Sequence, residues 1–473
     1  MSEYPSRHDK EELRELLRQF QNLKSGRPHV FLEEDAFEKI IDHYDEAEDM
    51  PMALEAVELA TAQYPYSSSL QLKKADLFIA TRRYADALLI LDKAEVLDSS
   101  DINLYILKTD AYLALDQQEK AVLLLENALL HFEGEERIDL LFELADVYDD
   151  YEEFDKIFDC LKLILEQEPV NEEALYKICF WTDFTGRNEE SIKLHKSIID
   201  EFPYSELAWF NLAAAYQGIK LYEKAIDAYK YALVIDEKFD YAYRNMGDAY
   251  IRLRKYKDAI EVLEKVLELS RPEEVIYEAI GYCFDRMKNY AQARFYYRKA
   301  THLNQSNSKL YYKIARTYMN EQQWAHAVKQ LDTAMQMNRS YPDYNLAMGE
   351  CKMNTGQTRE AIQCFSVVVR ARPKSVAGWE ALICCLYIAE LYEEASEQVQ
   401  AALKYTENKP LFLYYYSAIC FAAGKLKEGL LQLERAMNKS PKLVKKFVGI
   451  NPSILQNQQV VDLLARFRRN KKN

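Results

Sequence analysis

The apolar positions of residues 207–232, LAWFNLAAAYQGIKLYEKAIDAYKYA, fall into two stripes. Trp209, Leu212, Ala213 and Tyr216 lie at i, i+3, i+4 and i+7, which places their side chains on one face of a helix. A polar break containing Gly218 follows. Ala225, Tyr229 and Ala232 then mark a second stripe at i, i+4 and i+7. The pattern predicts two amphipathic helices joined by a short turn. Small residues at Ala213 and Ala225 would let the two backbones approach closely.

The pattern recurs along the chain. Steps of 34 residues from Ala225 reach Ala259, Ala293, Ala327, Ala361, Ala395 and Gly429, and backward steps reach Ser191 and Ile157. A two-residue insertion near Glu135–Arg137 resets the frame, which continues as Ala121, Ala87 and Ala53. A second column holds Ala60, Ala94, Ala128, Ala232, Ala300, Ala334, Ala402 and Ala436. Tyr84, Phe154, Tyr222, Tyr256, Tyr290, Trp324 and Tyr392 are expected in the turn within each hairpin. Pro65, Pro169, Pro203, Pro373 and Pro441 fall where the second helix must stop.

Residues 34–443 thus divide into twelve units: 34–135 (units one to three), 138–171 (unit four) and 172–443 (units five to twelve). Ile157 and Ile164 replace the usual alanines in unit four, so altered packing is expected there. A charged helix from Asp9 to Lys24, stopped by Gly26 and Pro28, occupies most of residues 1–33 and partly caps the array. Beyond Pro441 the phase is lost. Residues 444–473 carry an apolar face of Val460, Val461, Leu464 and Phe467, expected on a capping helix with a basic tail.

The order Trp–Leu–small–Tyr, then Ala, aromatic, Ala, at this period resembles the tetratricopeptide repeat. That resemblance covers most of the chain. It implies an all-α fold, an α-solenoid of about twelve helical hairpins wound as a right-handed superhelix. It also implies that the first helix of each hairpin lines a concave groove where other proteins or peptides bind.

Composition agrees with an all-helical chain. Gly and Pro number only 12 each, while Tyr reaches 35. The net charge of −15 and pI near 5.2 disfavour nucleic acid as a ligand. The N-terminus lacks the apolar core of a secretory signal. No apolar run approaches the roughly 18 residues that span a bilayer. A cytoplasmic location is expected, with eight unpaired cysteines acting mostly as small hydrophobes.

Catalytic motifs are missing from the sequence: there is no G-x-x-x-x-G-K-[ST], H-E-x-x-H or G-x-S-x-G. The seven histidines are scattered, and His195 takes a stripe position held elsewhere by Tyr229 or Leu263. No catalytic residue, cofactor or metal is assigned, and the chain reads as a non-enzyme.

Charge is uneven instead. Residues 1–200 carry about −25 and residues 201–473 about +10. One residue past the small buried position of each first helix, units one to four carry Asp42, Asp76, Asp110 and Asp146. With Glu38, Asp149 and neighbours such as Asp45 and Asp150, these form an expected acidic groove for a basic or amide-rich segment. The spacing of first helices, on the order of 10 Å, predicts that screening keeps these carboxylates charged. Units seven to nine carry Arg244, Arg252, Arg286, Lys309, Lys313 and Arg316, interleaved with Tyr241, Tyr282 and Tyr312. Some family members clamp the C-terminal carboxylate of chaperone peptides between lysines and asparagines. Lys309 and Lys313 resemble part of that clamp, but Asp248 and Ala279 stand at the asparagine positions, so a generic acidic or aromatic peptide is expected.

The sequence therefore predicts a peptide-binding interaction scaffold. Two alternatives remain open at this point. One is self-assembly of the basic C-terminus onto an acidic groove. The other is a regulatory subunit of an enzyme or secretion complex.

Overall fold

The computed structural model describes residues 7–25 and 31–469. Gly26, Pro28, Lys471 and Lys472 lie outside the described residues. Among those described there are 27 α-helices and no strand. The chain forms two compact units, residues 1–237 and 238–473.

The first unit opens with α1 (Arg7–Lys24) and continues as six hairpins. These are α2/α3 (Glu34–Glu46, Met50–Gln63), α4/α5 (Ser68–Ala80, Tyr84–Leu97), α6/α7 (Ile102–Ala114, Gln118–Ala128), α8/α9 (Gly134–Asp150, Phe154–Gln167), α10/α11 (Glu172–Thr185, Asn188–Glu201) and α12/α13 (Glu206–Gly218, Tyr222–Ile235). The second unit has six more: α14/α15 (Asp240–Arg252, Tyr256–Leu269), α16/α17 (Glu274–Arg286, Tyr290–Leu303), α18/α19 (Ser308–Asn320, Trp324–Met337), α20/α21 (Pro342–Asn354, Thr358–Ala371), α22/α23 (Val376–Ile388, Tyr392–Tyr405) and α24/α25 (Pro410–Ala422, Leu426–Lys439). Two short 3-10 turns, α26 (Val444–Ile450) and α27 (Gln458–Arg469) close it.

Every hairpin turns in the same way. One residue between its helices takes positive φ: a non-glycine residue in nine turns, from Glu48 to Glu390, and Gly186, Gly356 or Gly424 in the others. This left-handed residue lets the next N–H groups fold back onto the first helix. Arg83 N–H donates to Phe78 O at 2.7 Å and Arg82 N–H to Ile79 O at 2.9 Å, covering carbonyls that a helix end leaves open. The aromatics expected in the turn instead begin the second helix as its first residue. Pro65, Pro169, Pro203 and Pro373 each lie two residues past a helix end.

Both alanine columns are buried throughout. The matching small position of the first helix is just as tight. A Cβ added at Gly247 would stand 2.7 Å from Leu263, at Gly281 2.7 Å from Tyr297, and at Gly349 2.4 Å from Phe365. Small residues on one helix thus admit a large side chain sixteen positions on. Trp209 departs from its expected stripe. It is half-buried, stacks on Tyr231 at 4.5 Å and donates from Nε1 to Pro203 O at 2.9 Å.

The altered packing expected in hairpin four lies in hairpin five. In hairpin four, α8 reaches 17 residues and absorbs the insertion, and Ile157 and Ile164 are buried. In hairpin five, α10 and α11 barely touch, and both pack on α12. The cause is the smallness of α12, with Ala208, Ala213, Ala214, Ala215 and Gly218. A Cβ on Gly218 would stand 2.2 Å from Asn188 Oδ1, and Asn211 Nδ2 donates to Leu175 O at 2.7 Å.

Both ends are covered. Phe20 of α1 is buried with Phe37 and Ile40 of α2. Phe447 of α26 and Val460 of α27 are buried with Tyr414, joined by Leu464 and Phe467. Val461, expected on that face, is 36% exposed, at the margin of the apolar side of α27 rather than buried with Val460.

Candidate functional site

The four aspartates of the first unit sit at equivalent positions of α2, α4, α6 and α8, and all four are exposed. Their surroundings differ. Asp42 pairs with Lys73 of the next hairpin, and Asp146 lies 4.0 Å from Lys177 of the next hairpin. Glu38 accepts from Ser69 Oγ. Asp149 is exposed, as is Asp150.

Among the described residues, Asp76 and Asp110 form no ion pair with a lysine or arginine. The position that supplies Lys73 and Lys177 is Leu107 in α6 and Glu143 in α8. Glu143 therefore faces Asp110 and Asp146 where a cation would otherwise stand. Burial, then the charges of Asp110 and Asp146, push its carboxyl up to about 7. Asp76 is raised by burial and by Asp45, against the pull of Lys73. Asp110 is raised by burial and by Asp76. Asp146 is raised by burial, with Lys177 pulling it down and Asp149, Glu173 and Asp150 pushing it up. These side chains reach solvent, yet the surrounding wall removes enough water to penalise charge. The expectation of carboxylates kept independent by distance and screening therefore fails: Asp76 acts on Asp110, and Glu143 stands under the influence of both Asp110 and Asp146.

The same column continues onto Phe180 of α10. Tyr176, Phe180 and Phe184 stand at i, i+4 and i+8, and are 68%, 61% and 57% exposed. Phe180 and Phe184 stack at 5.9 Å, and Trp181 packs on Phe154 at 5.5 Å beneath them. The 34-residue step from Asp146 leads to Phe180, so this ladder could have been found from the sequence.

The second unit holds the expected basic stripe, but carboxylates share its face. Arg244 donates both Nη groups to Glu273, at 2.8 and 2.9 Å. Arg252 lies 3.4 Å from Asp248, and Lys313 pairs with Glu278. Arg316 donates to Tyr312 Oη at 3.1 Å, and its charge lowers the otherwise raised carboxyls of Asp285 and Glu350. Arg286 reaches Tyr256 Oη at 3.5 Å, and Tyr282 packs edge-on to Tyr256 at 6.4 Å. Lys309 is exposed. The stripe is a mixed-charge surface rather than a basic one, because Glu273, Glu278, Asp285 and Glu350 meet its cations.

Other candidate chemistry is muted by burial. His195 is fully buried, its Nδ1 is 2.8 Å from Ser191 O, and burial pushes it down to about 4, leaving it neutral. Cys384 lies 3.1 Å from Tyr415 Oη, and burial pushes its neighbour Cys385 up to about 11, away from thiolate reactivity. Among the described residues no group of three His, Cys, Asp or Glu side chains is placed to hold a metal ion. No described helix is long and apolar enough to cross a membrane.

Residues 208–346 match the family model of the tetratricopeptide repeat protein 21 C-terminal ARM domain, and residues 343–375 match a tetratricopeptide repeat model. No curated protein matches the chain significantly. Among solved structures, similarity extends to YrrB, described as a TPR protein with an unusual peptide-binding site. It is 19% identical, covering 40% of this chain and 96% of that one, with a TM-score of 0.35. The C-terminal part of a TPR repeat-containing protein from Cytophaga hutchinsonii is 14% identical over 54% of this chain and 99% of its own, with a TM-score of 0.44. The Cut9–Hcn1 hetero-tetramer of the APC/C is 12% identical over 82% of this chain and 96% of that one, with a TM-score of 0.36.

Proposed function

We propose that this chain, a member of the tetratricopeptide repeat family, is a non-catalytic interaction scaffold whose first unit binds a basic segment bearing apolar side chains. The observation that carries the reading is one continuous column. Asp76, Asp110 and Asp146, with Glu143 among them, lead onto the exposed rings of Tyr176, Phe180 and Phe184. Carboxylates without enough cations favour lysine or arginine, and the adjacent rings favour aliphatic groups and the faces of guanidinium ions. Exposed ion pairs contribute about 0–1 kcal/mol each, so several must act together and binding falls with salt.

The second unit supports binding less directly, since half of its stripe cations, Arg244, Arg252 and Lys313, already pair with carboxylates. Self-assembly through the C-terminus is also less favoured: Phe447 and Val460 are buried in their own unit, and Lys446 pairs with Glu380 there.

A synthetic peptide of residues 442–473 serves as a basic, amphipathic probe. The full chain should bind it with strong salt dependence. Asp76→Asn with Asp110→Asn should lose most of that dependence while melting near the wild-type temperature. Phe180→Ser should weaken binding without changing its response to salt. Unchanged affinity in both variants would reduce the column to an ordinary solvated face.

A further inference from the structure

A different surface of the second unit has the chemistry of an anion site. A cavity of about 520 Å³ opens between α17, α18 and α19. Its wall includes Arg294, Phe295, Arg298, Lys299, His302 and His326 around Tyr318, with no carboxylate among the lining residues. It lies away from the groove column, because Tyr318 is two residues past Arg316 and so about 200° round the helix.

Tyr318 organises the cavity. The Arg294 guanidinium lies over its ring at 4.4 Å, and His326 stacks on it at 5.3 Å. Arg298 Nη2 donates to its hydroxyl at 2.8 Å. Arg294 is also paired, with Glu321 at 2.7 Å. Among the described residues, Arg298 and Lys299 have no such partner. The Lys299 ammonium stands among rings instead, 4.7 Å from Phe295, 5.2 Å from Tyr277 and 5.6 Å from Tyr296. The tyrosine bond holds the guanidinium in place and leaves its other N–H donors for a ligand.

We propose that this cavity binds a phosphate monoester. A phosphate dianion would match the planar fork of Arg298 and the point charge of Lys299, and would relieve their unpaired charge. The half-exposed ring of Phe295 provides a wall for whatever group the phosphate is carried on. This site is independent of the peptide-binding reading, since it uses other helices, the opposite charge and another ligand.

Isothermal titration of the full chain with phenyl phosphate tests it, with inorganic phosphate, phenol and sulfate as comparisons. Phenyl phosphate should bind saturably and phenol should not. Arg298→Gln and Lys299→Gln should each weaken binding by roughly tenfold or more. Arg252→Gln, on the groove face, should leave it unchanged. Inorganic phosphate binding as well as phenyl phosphate would assign the affinity to the dianion, and weaker binding would add the Phe295 wall; either supports the site. No saturable binding overturns the proposal. So does equal binding of sulfate, or affinity unchanged in both cavity variants. Arg298 is exposed and Lys299 half-buried, so circular dichroism melting should confirm that the variants fold.

Discussion

Glu143 shows how one side chain reports on its neighbours. Its carboxyl, ordinarily near 4.5, is pushed up to about 7 by burial, Asp110 and Asp146. The folded-state value lies above the unfolded one, so the folded chain holds this proton more tightly. The stability that this contributes is complete below about 4.5 and is lost as pH rises through about 7. Glu143→Gln, which mimics the protonated acid, should therefore raise the melting temperature at pH 8, with the advantage shrinking towards pH 4.5. A basic ligand would drive the same group to ionise. Binding at pH 7 should then release protons, seen as heats that differ between buffers of different ionisation enthalpy; identical heats would separate Glu143 from the binding surface. Gly349 offers a packing test. Gly349→Ala places a Cβ 2.4 Å from Phe365 and should cost roughly 1–3 kcal/mol in denaturant unfolding. Gly449→Ala meets nothing within 4 Å and should cost less.

Individual helices were the most legible level in the sequence. The alanine columns named the buried faces correctly from Ala53 to Ala436, because close packing tolerates little else there. Ion pairs between hairpins were not legible. Lys73 and Asp42 are 31 residues apart, and nothing local in either helix announces the contact. Glu143 was missed for the same reason: its position carries lysine in α4 and α10, and only the neighbouring aspartates make its charge unusual. The splay of α10 from α11 was missed because it depends on the sum of small residues along α12, none of which is exceptional alone. Asn211 lies at that close approach. Asn211→Leu removes its bond to Leu175 O and adds bulk, and should cost roughly 1–3 kcal/mol. If unfolding did not change, the approach of α10 to α12 would owe little to Asn211.

At the scale of the molecule, repeats stabilise their neighbours, and each unit has six hairpins of its own. Fragments 1–237 and 238–473 should each be soluble and helical by circular dichroism. A cut at Lys220, within the α12/α13 turn, should expose apolar faces and aggregate. Equal behaviour of all fragments would contradict the assignment of hairpins as the packing unit.

The one-per-hairpin placement of carboxylates in the first unit also constrains any extended chain lying along it. Neighbouring first helices stand on the order of 10 Å apart. An extended chain advances about 3.3 Å per residue. Lysines or arginines that meet successive hairpins would thus recur at about every third position, with apolar residues concentrated at the end that reaches Phe180. The periodicity that writes this fold into its own sequence would then reappear, shortened about tenfold, in the sequence of its partner.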